Sequence, residues 1–265
     1  MDQTDPHDGG HSRLILAVSC FALGVVLFGA PSAAAWVAAG HQGANSLSTA
    51  AWGNLVQQAV TGGAALTSVT ITLPGSTTAG DTLILSVADD SNHNATVSSV
   101  LGGGVTTWIK ATSAAAATSL EGEVEIWYGA VTTSSTSSVA VSLTGSTNVQ
   151  LANVSEWSGL AASSPLDATT STAPGVSATN FTAGPITPTV TGDLIVTDAW
   201  IQATGDTSPQ DATTGYSALS QTTGGGSYFR GWIAYQIDGS TASMSATWTS
   251  PASGYYATAI AAFKP

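Results

Sequence analysis

The chain of 265 residues carries a formal charge of −12 with only four lysines and arginines, and 43% of its residues are hydrophobic. Nucleic-acid and anionic-lipid recognition both run on basic side chains, so neither partner class is expected. A charged fraction of 8% alongside eight tryptophans also excludes the highly charged, weakly hydrophobic composition of disordered chains.

The first element is an export signal over residues 1–35. Arg13 is followed by an apolar run from Leu14 to Gly29 and then by Ala33-Ala34-Ala35, whose small residues suit a signal peptidase. The run is short for a membrane span, so cleavage before Trp36 is expected, with an uncleaved anchor as the alternative. Cys20 lies inside this run, which leaves the mature chain without a thiol for disulfide or zinc-thiolate chemistry. Beyond the cut, Ala34-Ala35-Trp36-Val37-Ala38-Ala39-Gly40 and Asn45-Ser46-Leu47 follow. This stretch resembles the export region of proteins processed by SipW-type signal peptidases, a resemblance that implies extracellular delivery into a surface or matrix layer.

Residues 36–65 form a weakly patterned N-terminal segment. After it, nearly every apolar stretch alternates with period two, as in Val69-Thr70-Ile71-Thr72-Leu73, Val139-Ala140-Val141-Ser142-Leu143 and Met244-Ser245-Ala246-Thr247-Trp248. Such alternation marks half-buried strands, and glycine-rich turn clusters at Gly102-Gly103-Gly104 and Gly224-Gly225-Gly226 separate them. The expected class is all-β, a β-sandwich of jelly-roll or immunoglobulin-like kind.

The pattern occurs twice. Gly80-Asp81-Thr82-Leu83-Ile84 returns as Gly192-Asp193-Leu194-Ile195, Ile126-Trp127-Tyr128 as Ile233-Ala234-Tyr235, and Val154-Ser155-Glu156-Trp157 as Ile260-Ala261-Ala262-Phe263. The expected organisation is a first repeat at 66–160, a linker at 161–182 and a second repeat at 183–265. Whether the halves make one sandwich or two stays open at this level. The phrases Gly80-Asp81, Ile126-Trp127-Tyr128-Gly129-Ala130, Glu156-Trp157-Ser158-Gly159-Leu160 and Ser164-Pro165-Leu166-Asp167 resemble the β-sandwich modules of actinobacterial secreted proteins and of phage minor tail proteins. That resemblance implies an accessory surface or attachment role and carries no catalytic residue across.

Three constellations bear on chemistry. Glu121, Glu123 and Glu125 alternate on one strand with Trp127 continuing their face, which would suit a glycosidase or a sugar platform. The competing reading is a charged solvent face that blunts strand-to-strand aggregation. Trp127, Glu125 and Trp232 are therefore the candidate ligand-binding residues. The oxygen-rich loop Asp89-Asp90-Ser91-Asn92-His93-Asn94 makes Asp89, Asp90 and Asn92 the candidate calcium ligands, although the spacing is not that of an EF-hand and plain turn residues explain it equally. Asp81 and Asp193 read as turn residues, Trp157 and Trp248 as core. Calcium is the one cofactor the sequence would suit; none is required.

Catalytic residues are not expected. The mature chain offers only His41 and His93, with no nucleophile elbow to present a serine. Asn94-Ala95-Thr96, Asn153-Val154-Ser155 and Asn180-Phe181-Thr182 match the glycosylation pattern, as chance allows in a chain this rich in Ser and Thr. The sequence thus points to a non-enzymatic secreted surface, adhesion or matrix module. Its expected partners are a glycan or cell-surface polymer, or a second copy through strand addition by residues 36–65. A carbohydrate-binding module or hydrolase, and a phage-type attachment protein, are the alternatives.

Overall fold

The computed structural model describes residues 52–90, 95–116, 122–134, 137–203, 215–221 and 229–265. The export signal and residues 36–51 lie outside this set. Every element within it is a strand. The first half of the chain gives β1 (Asn54–Thr72), β2 (Thr82–Asp90), β3 (Val97–Gly102), β4 (Ile109–Ala115), β5 (Gly122–Ala130) and β6 (Ser138–Ser158). The second gives β7 (Leu166–Thr172), β8 (Ala178–Ile186), β9 (Leu194–Ala203), β10 (Ser217–Gln221), β11 (Phe229–Ile237) and β12 (Met244–Phe263).

Two six-stranded antiparallel sheets result. The first runs β1-β6-β2-β5-β4 with β3 also on β6; the second runs β7-β12-β9-β11-β10 with β8 also on β12. The repeat seen in the sequence is therefore a repeat of topology, and the register agrees residue by residue. Thr82 opposes Trp157 and Ala130, while Leu194 opposes Phe263 and Ile237. The turns entering β2 and β9 close in the same way. Gly80 N donates to Val131 O and Val131 N to Asp81 O, while Gly192 N donates to Asp238 O and Asp238 N to Asp193 O. Even a bulge recurs: β1 skips between Leu55 and Gln57 against β6, and β7 skips between Leu166 and Ala168 against β12.

The halves differ in one respect. β1 is continuous along both halves of β6, whereas β7 and β8 divide the same task on β12. The segment 161–182, expected as a linker, thus carries β7 and the start of β8, and the segment 36–65 carries the start of β1. Residues 50–265 make one compact unit.

Three apolar layers hold it together. Alternation on β2 sends Leu83, Leu85 and Val87 into a layer within the first repeat, with Ile71, Val100, Val141 and Val154. Ile84 and Ala88 face the other way, into a layer shared with Leu194, Val196, Trp200 and Phe263 of the second sheet. The third layer, around Phe181, Ile195, Trp232, Trp248 and Ile260, belongs to the second repeat. Both faces of β2 and β9 are covered, so nearly continuous apolar runs suit them better than strict alternation.

The shared layer is pairwise reciprocal. Trp157 packs edge-on against Tyr235 at 4.9 Å, and their counterparts Phe263 and Tyr128 do the same at 5.4 Å. The two repeats therefore meet as the halves of a two-fold dimer would, each using the same patch. The two repeats, one six-stranded sheet each, thus meet across the shared layer within one compact unit.

Candidate functional site

The acidic stripe of β5 does not face solvent. Glu123 lies opposite Asp89, Glu125 opposite Val87 and Trp127 opposite Leu85, so the stripe points into the inner layer of the first repeat. β5 is an interior strand between β2 and β4, and so it has no free edge to protect. Glu121 lies outside the described residues.

Glu125 is 2% exposed and ties three strands together. Its Oε1 accepts from the backbone N of Val97 on β3 at 2.6 Å. Its Oε2 accepts from Trp127 Nε1 at 2.8 Å and pairs with Lys110 Nζ of β4 at 2.6 Å. Lys110 also sits 5.1 Å from the centre of the Trp127 ring, a cation–π contact. This carboxylate is consumed by the fold: three donors already occupy most of its roughly four lone-pair sites, and burial closes off the remainder from a substrate. The expected Trp127/Glu125 sugar face is accordingly a structural clamp, with Trp127 half-buried and its indole N–H committed.

Trp232, the third candidate ligand residue, is 2% exposed and lies in the innermost layer of the second repeat, 6.3 Å from Phe181. By register it is the counterpart of Glu125, since Val87 opposes Glu125 and Ala199 opposes Trp232. It cannot stack on a sugar. Trp157 and Trp248 are fully buried, as read from the sequence.

Asp89 and Asp90 are consecutive on β2 and so project to opposite faces. Asp89 meets Glu123, and Asp90 turns toward Asn148, whose Nδ2 lies 3.5 Å from Asp90 Oδ2. Asn92 lies outside the described residues. Among the described residues, no three His, Cys, Asp or Glu side chains are grouped to hold a metal ion. Asp89 is pushed up to about 9, first by burial and then by the charges of Glu123, Glu125 and Asp90. Glu123 rises to about 7, again chiefly by burial, with Lys110 opposing. Raised carboxyls are a mark of general acids, but structural burial produces the same shift, and these two are 2% and 5% exposed.

Two further carboxyl pairs sit at equivalent places. Asp81 hydrogen-bonds Glu156 and is raised to about 6, by burial first and then by that bond. Glu156 also accepts from the backbone N of Thr78 at 2.6 Å and from Gln57 Nε2. In the second repeat Asp193 lies beside Asp167 and is raised to about 7, by burial and then by Asp167 and Asp238, with Lys264 opposing. Asp167 is held below its usual range although burial alone would raise it. Thr189 donates to it from N at 2.5 Å and from Oγ1 at 2.6 Å, and Lys264 lies 3.6 Å away. Two carboxyls held side by side favour the form in which one keeps its proton, and in each pair the raised member, Asp81 or Asp193, is the one that would hold it, which makes the pair an acid–carboxylate clasp. The repeated Gly-Asp was the available signal; its partners, on different strands, were invisible without register.

The remaining polar feature is a cleft of about 410 Å³ lined by Gly63, Ala64, Asp90, Asn148, Val149, Gln150 and Phe229. Of the glycosylation motifs, Asn153 is 1% exposed and bonds Gln58 at 3.2 Å, which closes it, while Asn180 is exposed and Asn94 lies outside the described residues.

The fold and its sites define a two-repeat, all-β sandwich in which, among the described residues, most acidic side chains are buried. No protein-family model, curated protein or solved structure matches this chain.

Proposed function

We propose that this protein is a non-enzymatic module delivered outside the cell, where it serves as a surface or matrix component. The observation that supports the reading is where the charge sits: among the described residues Asp89, Asp90, Glu123, Glu125, Glu156, Asp193, Asp198 and Asp238 are buried, while Ser, Thr and Gly dominate the exposed positions.

Chemistry at the surface favours the same reading. The clamp and the clasps use acids inside the fold, leaving an exterior dominated by Ser, Thr and Gly, which resists nonspecific charge-driven contacts. Strand addition by residues 54–61 is disfavoured, because they already fill one side of β6 from Asn54 to Thr61. Any self-association would use the outer edge of β1, where Val56 and Val60 are half-exposed.

The test is fractionation of cells expressing the full-length chain with a C-terminal tag, together with protease shaving of intact cells. Recovery in the medium or the shaved surface fraction is expected. Retention of uncleaved, protease-protected chain in the cytosol would overturn the proposal.

A further inference from the structure

The two repeats share one register along their central strands except at a single point. β9 pairs with β12 without interruption from Leu194–Phe263 to Ala203–Gly254. β2 pairs with β6 smoothly only as far as Ala88–Leu151, then jumps to Asp89–Val149, so that Gln150 is left over. On the other side of β6, β1 slips around Gly63, which pairs with Val149, and Ala65 takes a left-handed φ of 54°. Bulges on both flanks of one strand bend it and re-aim side chains where they occur. The cleft of about 410 Å³ lies here, lined by Gly63, Ala64, Asp90, Asn148, Val149 and Gln150 of the first repeat and Phe229 of the second.

We infer that this cleft is a binding site for a neutral, hydroxyl-rich ligand, the end of a glycan chain, recognised by the half-buried Asn148 and Gln150 against Phe229, with Asp90 as the residue that positions Asn148. The chemistry of the lining selects that class. The amides of Asn148 and Gln150 supply donors and acceptors, the mixture that sugar hydroxyls require, while Asp90, 4% exposed, lies behind them with its Oδ2 3.5 Å from Asn148 Nδ2. Among the described residues, no basic side chain lines the cleft, which disfavours phosphate, sulfate and uronic acids. Phe229 adds an apolar plane and is held by stacking on Trp200, 5.8 Å away and 20° from parallel. The bare backbone of Gly63 and Ala64 leaves room for a ring to approach. Preorganisation is built in: Asn148 Oδ1 accepts from Ala65 N at 3.0 Å, which leaves its Nδ2 aimed toward Asp90. The volume falls in the range of small-ligand sites.

The inference rests on the proposed extracellular role, since that is where such polymers are met, but it fails separately. The experiment is an array of neutral and acidic oligosaccharides probed with the purified protein, followed by calorimetry with the strongest neutral binder. The comparison set is the wild type, Gln150→Ala, Asp90→Asn and a Trp127→Ala control. At least one neutral oligosaccharide is expected to bind, with affinity weakened about tenfold or more in Gln150→Ala and Asp90→Asn. Trp127→Ala should bind as the wild type does. Gln150 is half-buried at the rim, so its variant tests the site even if Asp90→Asn unfolds, which circular dichroism would reveal. Absence of neutral binding, binding of acidic glycans alone, or equal binding by Gln150→Ala would overturn the inference. Such a result would leave the surface role standing, whereas a cytosolic protein that binds sugar through this cleft would overturn the role and not the site.

Discussion

Replacing Asp193 by asparagine should change how stability depends on pH in a way that one carboxyl accounts for. Asp193 is fully buried, and its pKa is raised from 3.8 to about 7. Between those values the native state holds a proton that the unfolded chain has released. Stability therefore falls as pH rises through this window, by about 1.4 kcal/mol per pH unit. The contribution is complete below pH 3.8 and lost near pH 7, about 4 kcal/mol in all as an upper figure. An amide cannot titrate. It keeps the donor toward Asp167 and buries one extra N–H, at a cost of about 1–3 kcal/mol. The Asp193→Asn variant should thus be the less stable form at pH 4.5, and the difference should close or reverse by pH 7.5. Asp167 does not confuse the window, because its depressed pKa acts below 3.8. Urea unfolding of both proteins at four pH values measures the difference directly. Parallel stability profiles would refute the proton-sharing clasp.

Other perturbations test the packing. A Cβ on Gly122 would lie 2.0 Å from the Trp200 ring, so Gly122→Ala should cost about 1–3 kcal/mol, and a loss within error would deny the close approach of the repeats. Trp248, stacked on Phe181 at 5.8 Å, should cost about 3–5 kcal/mol as Trp248→Ala, read as a lower urea midpoint. Glu125→Gln keeps the shape but strands Lys110 beside Trp127; a loss of about 1–3 kcal/mol is expected, with an altered Trp127 emission.

The strands that the sequence displayed were those with two buried faces or one clean alternation. β2, β9 and the ends of β6 and β12 announced themselves twice, in the same order, and their register repeats in the sheets. β7 and the part of β1 before residue 66 did not, for a physical reason. They lie at sheet edges and bury little: Leu55 and Leu166 are their main anchors in the shared layer, and the rest of Leu166-Asp167-Ala168-Thr169-Thr170-Ser171-Thr172 is small and polar. A strand whose backbone bonds are supplied by a strong neighbour needs few apolar side chains. The candidate site was misread for a different reason. Period two says that Glu123, Glu125 and Trp127 share a face, but not which face, and only pairing with Leu85 and Val87 decides it.

That reversal changes the meaning of the acidity. A formal charge of −12 suggests a surface kept soluble by carboxylates. Yet Asp89, Glu123 and Asp193 are buried and raised to about 9, 7 and 7. Asp198 lies wholly inside the shared layer, pushed well above its usual range by burial, and Asp81 rises to about 6. At pH 6 the native state keeps the protons of the first four and about half of Asp81's, whereas the unfolded chain, open to water, has released them. The folded protein is then less negative than its composition states, and unfolding should release about four protons per molecule at pH 6. Adding urea to a weakly buffered solution with a pH electrode counts them. Release of fewer than about one proton would mean that the interior carboxyls are charged, and with that the clasps, the acid-side stability and the hydroxyl-faced exterior would all fail together.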